Sequence, residues 1–371
     1  MAIILRFWAC LRFKAFRLCS MLFLGKYGSA VMVGERFVSI VGASDELRKH
    51  VVARGSERSA VLQEFSFADI PDDWSEYLGH PAFLPAKDIY LLEDVCIGPR
   101  TGVVWVPDCG VIRESVSNAQ FFYLHGVQDT MIRPRVLKES HPVCAFSTTV
   151  YFHALVEDLL RVLECRRRYS EAKVLVANIR PKYVDDLLAF VGVAKSDIIV
   201  CERPVRVSKC AFVPKWSDPG EIHRDDLRLL RETLLSNLHA TFTSKPIYIS
   251  RAHSSNRSLV GEQALENELM RLGFRICYFE EMSFEEQLVA VRGADTIVAP
   301  HGSGLSNLVV AKSGTHVIEM ISDNWVVPCF ARMANLLDLD YHCVRTEPVE
   351  GGRFAVPVQK VVSVLMAFGS R

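Results

Sequence analysis

From residue 245 to 344, short apolar runs of strand length alternate with longer stretches of helical periodicity, and this alternation limits the fold more than any other feature. Residues 246–250, 275–279, 296–299, 316–321 and 341–344 read as strands, the last closing a sheet. Between them 262–272, 283–292, 305–311 and 325–337 read as helices, and 357–368 as a final one opened by Pro357. An earlier series has the same character: an apolar-striped helix at 151–165, a strand at 173–177, a helix at 181–191 opened by Pro181, and strands at 198–201 and 205–213. Alternation of this kind predicts an α/β fold with mostly parallel sheets covered on both faces. A polar-and-leucine helix at 221–239 joins the two series, which predicts a cleft between them. Upstream, 36–117 is β-rich and irregular, with strands at 88–97, 102–106 and 110–112. The expected division is a basic segment 1–34, a domain 35–240 and a domain 241–371, with the final helix free to pack back on the first domain.

At 371 residues the chain has room for two cores. Lys plus Arg equals Asp plus Glu at 43 each, which argues against a large polyanion such as nucleic acid as the main partner. Eleven cysteines without a C-x-x-C pair read as reduced core residues of a cytoplasmic protein, not as a disulfide scaffold or a zinc site. Charge is uneven only at the start. Arg6, Arg12, Lys14, Arg17 and Lys26 precede the first acid, Glu35, while Ile4, Phe7, Trp8, Leu11, Ala15, Leu18 and Leu22 recur at helical spacing. The uncharged runs are far short of the ~20 residues a membrane span needs. The pattern suits an interfacial helix on the inner face of an anionic membrane, or equally a basic helix packed on protein.

The strand at 296–299 runs into Pro300-His301-Gly302-Ser303-Gly304, and a helix opens at Leu305. Glycines at such a turn allow close approach of a ligand, and the N–H groups of the first helical turn favour an anion, for which a diphosphate is suited. A turn using glycine only for its dihedrals has the same sequence. Glu319 stands at the end of the next strand, where an acid accepts from a ribose diol in dinucleotide-binding sheets; a buried Glu paired with a structural arginine is the alternative. Arg251 ends the opening strand and Arg257 follows after a polar loop, both at the sheet edge where open α/β folds bind ligands. His153 and Glu157, four residues apart, share a helix face and suit a general base and its partner, although Glu157 could instead pair with Arg161.

Taken in order, Ile249-Ser250-Arg251, Arg257, Glu262, Gly273-Phe274, Glu286-Gln287, Ala294, His301-Gly302-Ser303-Gly304-Leu305-Ser306-Asn307 and Glu319 resemble glycosyltransferase family 61. The resemblance starts upstream at Tyr151-Phe152-His153-Ala154-Leu155-Val156-Glu157 with Arg161. The family has Ala at Ser303, Thr at Ser306, Asn at Gly261 and Pro at Leu160. The resemblance implies a GT-B arrangement, two Rossmann-like domains facing across a cleft with the later one holding a nucleotide-sugar. It also implies inverting transfer without metal; His153 and Glu157 are then the expected catalytic pair, with Arg251, Arg257, His301, Gly302, Ser303, Gly304, Leu305, Asn307 and Glu319 expected around the donor. No cofactor is expected beyond a nucleotide-sugar co-substrate, expected to be UDP-linked. The acceptor would be a glycan or lipid-linked saccharide of surface polysaccharide (capsule) biosynthesis. Asp338-Leu339-Asp340, the chain's one D-x-D, reads as a helix cap and a surface residue and not as a metal site. Two other readings stay open: a nucleotide-dependent oxidoreductase, although Asn307 stands where a third glycine is expected, and a non-catalytic sugar-nucleotide-binding assembly protein.

Overall fold

A computed structural model describes residues 37–38, 45–58, 61–63, 65, 82–84, 87–107, 109–116, 127–148, 150–215, 221–242, 244–253, 259–322, 326–349 and 353–368. The basic segment 1–34, Arg257 and Trp325 lie outside this set. Among the described residues the strands form a ten-stranded sheet, a seven-stranded sheet and one small pair, a mixed α/β fold.

In the ten-stranded sheet Val143–Phe146, Lys173–Ala177 and Ile198–Cys201 run parallel. Val205–Phe212 joins them to the long strand Lys87–Ile97 by antiparallel pairing. The irregular β-rich region and the first alternating series therefore share one sheet. The seven-stranded sheet runs in the order Leu259–Val260, Arg353–Ala355, Asp340–Val349, His316–Ser322, Thr296–Pro300, Ile247–Ile249, Arg275–Cys277. All its pairings are parallel except that of Asp340–Val349 with Arg353–Ala355. The 340–349 strand thus does not close the sheet, because two short strands continue beyond it.

Period-two alternation explains why both faces are covered. Ile247, Ile249, Ile297, Ala299 and Val317 point to one apolar cluster, while Tyr248, Val298, Ile318 and Met320 point to another on the opposite face. Each fully buried Ile or Val in these runs stabilises the fold by roughly 1.5–3 kcal/mol. Local signals start the helices. Ser283 and Glu286 form a reciprocal capping box before Phe284–Gly293. Gly261, with φ of 83°, caps Glu262–Arg271 in the left-handed region, which the asparagine of the family pattern also tolerates.

Several expected elements differ in detail. Pro181 is the N-cap of Lys182–Phe190 and not its first turn. The joining helix is Arg224–Ser236, and the helix expected at 325–337 is Cys329–Leu336. The segment after the glycine turn, Ser303–Val310, is a 3-10 helix. The final helix Val358–Phe368 packs Val361, Val364, Leu365 and Phe368 on the seven-stranded sheet, against Ile318 and Met320. The joining helix does more than connect. Its Leu227, Leu230 and Leu234 belong to one continuous apolar cluster with Val174 and Val176 of the first sheet and Ile297 and Val317 of the second. Where these helices meet, the space between the sheets is packed. Among the described residues no helix is long and apolar enough to cross a membrane, and the nine described cysteines are free.

Candidate active site

A pocket opens at the carboxyl edge of the seven-stranded sheet, lined by Arg251, Leu259, Pro300, His301, Met320, Ser322, Thr346 and Phe354. Its geometry starts from Glu262. Oε1 of this buried side chain accepts from the Arg251 backbone N–H at 2.7 Å and from the Tyr248 hydroxyl at 2.9 Å, fixing the chain as it leaves the Ile247–Ile249 strand. Nη1 of Arg251 then donates to the carbonyl of His301 at 2.9 Å. A Cβ on Gly302 would collide with that same Nη1, so glycine here serves close approach of a cation; its backbone is extended, a conformation any residue adopts.

His301 is held from the other side as well. Its N–H donates to the Met320 carbonyl at 2.8 Å, and its Nδ1 lies 2.6 Å from Oε1 of Glu319. Glu319 is fully buried, and its Oε2 accepts from the Tyr341 hydroxyl at 2.6 Å. Burial and the neighbouring Glu319 charge push the Tyr341 hydroxyl well above its ordinary range, so it stays a donor. Glu319, expected to meet a ribose diol or a structural arginine, instead has both oxygens engaged by His301 and Tyr341. A buried carboxylate needs such partners.

The glycine turn divides into a wall and a tie. His301, Ser303 and Gly304 are partly accessible, while Leu305 and Asn307 are buried. The Leu305 N–H donates to the Gly302 carbonyl at 3.0 Å. Asn307 accepts from the Tyr151 hydroxyl at 2.8 Å and donates to Gln287 at 2.9 Å. Leu305 and Asn307 therefore hold the turn.

Tyr151 opens the second half of the site. The helix from Tyr151 to Arg168 contains one π-turn, Ala154–Asp158, in which the Leu159 N–H reaches back to the Ala154 carbonyl. Such turns recur at functional sites. Nδ1 of His153 lies 2.8 Å from Oε1 of Glu157, both side chains partly accessible. Arg161 pairs with Asp158 and not with Glu157. Asp158, which the sequence reading passed over, is buried and accepts from the Ser147 and Thr148 amides at 2.9 and 2.7 Å. Burial opposes its charge, yet Arg161, Lys215 and the Thr148 and Ser147 hydrogen bonds outweigh that and hold its pKa down to about 2. Lys215 shares this cluster. Burial first, and then Arg161, lower its pKa to about 8 against the attraction of Asp158 and Glu157. Asp158 could have been suspected from its place beside Glu157; Lys215 carried no local signal.

An aromatic bridge brings the halves together. The Phe152 ring lies 5.3 Å from His153 and 5.5 Å from Phe330, and Phe330 lies 5.3 Å from His301. His153 and His301, distant in sequence, thus flank one Phe152–Phe330 pair. Arg251, His301 and Gly302 surround the pocket wall, and His153 with Glu157 stands beyond the bridge. The arrangement offers a cation and amide groups for an anion on one side, and a carboxylate-bound imidazole for proton transfer on the other.

The protein-family model described as glycosyltransferase 61 matches residues 121–318, more than half of the chain. The chain is also similar to beta-1,2-xylosyltransferase RCN11 of Oryza sativa subsp. japonica, 27% identical over 174 residues, 42% of this chain and 32% of that protein. A beta-1,2-xylosyltransferase of Arabidopsis thaliana is 30% identical over 88 residues, 24% of this chain and 16% of that protein. The match thus spans about a third or less of these relatives' length. The matched segment runs from before Tyr151 to the strand that carries Glu319, taking in the bridge, Arg251 and the glycine turn, and the chain belongs to the glycosyltransferase 61 family.

Proposed function

We propose that the protein is an inverting glycosyltransferase that moves a sugar from a UDP-linked donor to a glycan or lipid-linked saccharide acceptor. The observation that carries this reading is the Arg251–His301–Gly302 contact at the rim of the pocket, opposite a second imidazole with its own carboxylate. In the reaction, Arg251 and the amides of Ser303 and Gly304 stabilise the departing diphosphate, so that no metal is needed. Arg257, four residues after the polar loop begins, adds a second cation to the same anion. Glu319 keeps His301 in one orientation, with Nε2 turned to the donor.

On the acceptor side Glu157 takes the Nδ1 proton of His153 as a hydrogen bond, which leaves Nε2 as the base for the acceptor hydroxyl. The carboxylate then stabilises the imidazolium that forms. Attack from the face opposite the leaving diphosphate inverts the anomeric carbon, and the β linkage in the relatives' names is what inversion of an α-linked nucleotide-sugar leaves. A pentosyl donor is accordingly the first to test. In this reading the two sheets are the two halves of a GT-B enzyme, divided near residue 240, and residues 1–34 contact an anionic membrane surface during polysaccharide assembly.

The test is a thermal-shift panel of nucleoside diphosphates and nucleotide-sugars on wild type and Arg251→Ala, followed by product analysis with UDP-xylose and saccharide acceptors. Uridine diphosphate should raise the melting temperature of wild type and not of Arg251→Ala, and the product should carry a β linkage. Equal response of the variant, or no response to any nucleotide, would overturn the donor site. Nucleotide binding with no turnover across the acceptor panel would favour a non-catalytic role.

A further inference from the structure

One cluster of ligand-type side chains lies away from the pocket. His316 and Asp340 are paired residues at the start of two neighbouring parallel strands, and His342 follows Asp340 by two. By the period of two, all three side chains project to one face of the sheet. Nδ1 of His316 is 2.7 Å from Oδ2 of Asp340, and Nε2 of His342 is 3.1 Å from Oδ1. Each of the three offers one ligand atom, and these atoms all lie within 4.8 Å of one another. We propose that His316, Asp340 and His342 form a structural site for a divalent transition-metal ion of the zinc class.

The chemistry of the donors selects the ion. Two imidazoles and one carboxylate suit zinc, whereas magnesium and calcium prefer oxygen donors. A tetrahedral ion with ligands at roughly 2.0–2.2 Å spaces them about 3.4 Å apart, so small rotations of the two rings convert the present hydrogen-bonded triangle into a coordination sphere. His342 is nearly buried, while the side chains of His316 and Asp340 are 35% and 40% exposed, which leaves room for water as the fourth ligand. The surroundings are built for rigidity as well. Phe368, in the last turn of the final helix, stacks on His316 at 4.3 Å and 13° and lies 4.5 Å from His342. An apolar wall beside a metal site limits solvent and fixes the ligand rings. The ion would therefore pin two strand starts and the final helix together. The opposite end of the His316–Ser322 strand lines the donor pocket, some ~20 Å away at 3.3 Å per residue. The site is independent of the transfer chemistry proposed above.

The test uses the untagged full chain, stripped with chelator and titrated calorimetrically with Zn²⁺. Wild type should bind one Zn²⁺ per chain and melt at higher temperature when loaded. His342→Gln should weaken binding by at least about tenfold and abolish the melting shift, as loss of even an outer-sphere partner costs 10–100-fold. His141→Gln, at an unrelated surface His–Glu pair, should behave as wild type. Absence of Zn²⁺ binding, or equal binding by His342→Gln, overturns the site. If His342→Gln fails to fold, X-ray absorption of Zn²⁺-loaded wild type decides: two imidazoles with oxygen support the assignment, and a thiolate shell overturns it.

Discussion

His153 and His301 each hold a carboxylate at Nδ1, at 2.8 and 2.6 Å, yet the two pairs are built differently. Glu319 has no exposure and a second donor in Tyr341, so His301 is clamped by a carboxylate sealed inside the protein. Glu157 is partly accessible and sits on a π-turn, where its ring partner can meet a substrate hydroxyl. A leaving diphosphate asks for a fixed, pre-oriented field, whereas a base must exchange its proton. In the proposed mechanism the same two residue types serve positioning in one half and proton transfer in the other, and burial separates the two pairs.

The sharpest way to break this contrast is His153→Ala. It should lower kcat by roughly 10²–10⁴ with donor-induced melting shifts retained, measured by steady-state kinetics beside the nucleotide panel; near-normal turnover would move the base elsewhere. Next in size is Asp158→Asn, which leaves Arg161 without its buried partner and should cost about 3 kcal/mol in a denaturant titration. Because the folded pKa of Asp158, about 2, lies below the ~3.9 of an unfolded Asp, its contribution is fully present above pH ~4. It fades as pH falls from there through 2, so wild type and Asp158→Asn should converge in stability over that window. Glu319→Gln should cost about 1–2 kcal/mol by weakening a doubly used buried acceptor. Glu157→Gln should change stability by less than ~0.5 kcal/mol while still reducing kcat; equal stability losses would erase the distinction between the pairs. Gly302→Ala should separate donor affinity from stability. The new methyl displaces Arg251 from the His301 carbonyl, and donor affinity should fall by about tenfold, near 1.4 kcal/mol, with little loss of melting temperature.

The alternation of residues 245–344 was legible because buried strands write their period directly into apolar residues. Lys173–Ala177, Ile198–Cys201 and the Glu262 helix start fall where the pattern puts them. The errors lie where non-local contacts decide. The apolar segment after Gly304 reads as an α-helix, whereas it is a 3-10 helix set among four other helices. Strand 340–349 looked like an edge because the two strands beyond it, three and two residues long, carry too little pattern to see. At the site, Arg251, His301 and Gly302 could be named from spacing. The role of Glu319 could not, since its partner Tyr341 sits 22 residues on, in the next strand. Lys215 was invisible for the same reason: only the fold brings it beside Asp158 and Arg161. Helical spacing offered Arg161 as an alternative partner for Glu157, and the folded chain pairs it with Asp158.

The unbroken apolar cluster that runs from Val174 through Leu230 to Val317 also bears on heredity and redesign. A half whose greasy flank is completed only by the other half cannot be exchanged between relatives as an interchangeable cassette. Chimeras joined near residue 240 should aggregate unless the flank is co-inherited, so new donor and acceptor preferences would arise by changes at the pocket rim, residue by residue, and not by shuffling.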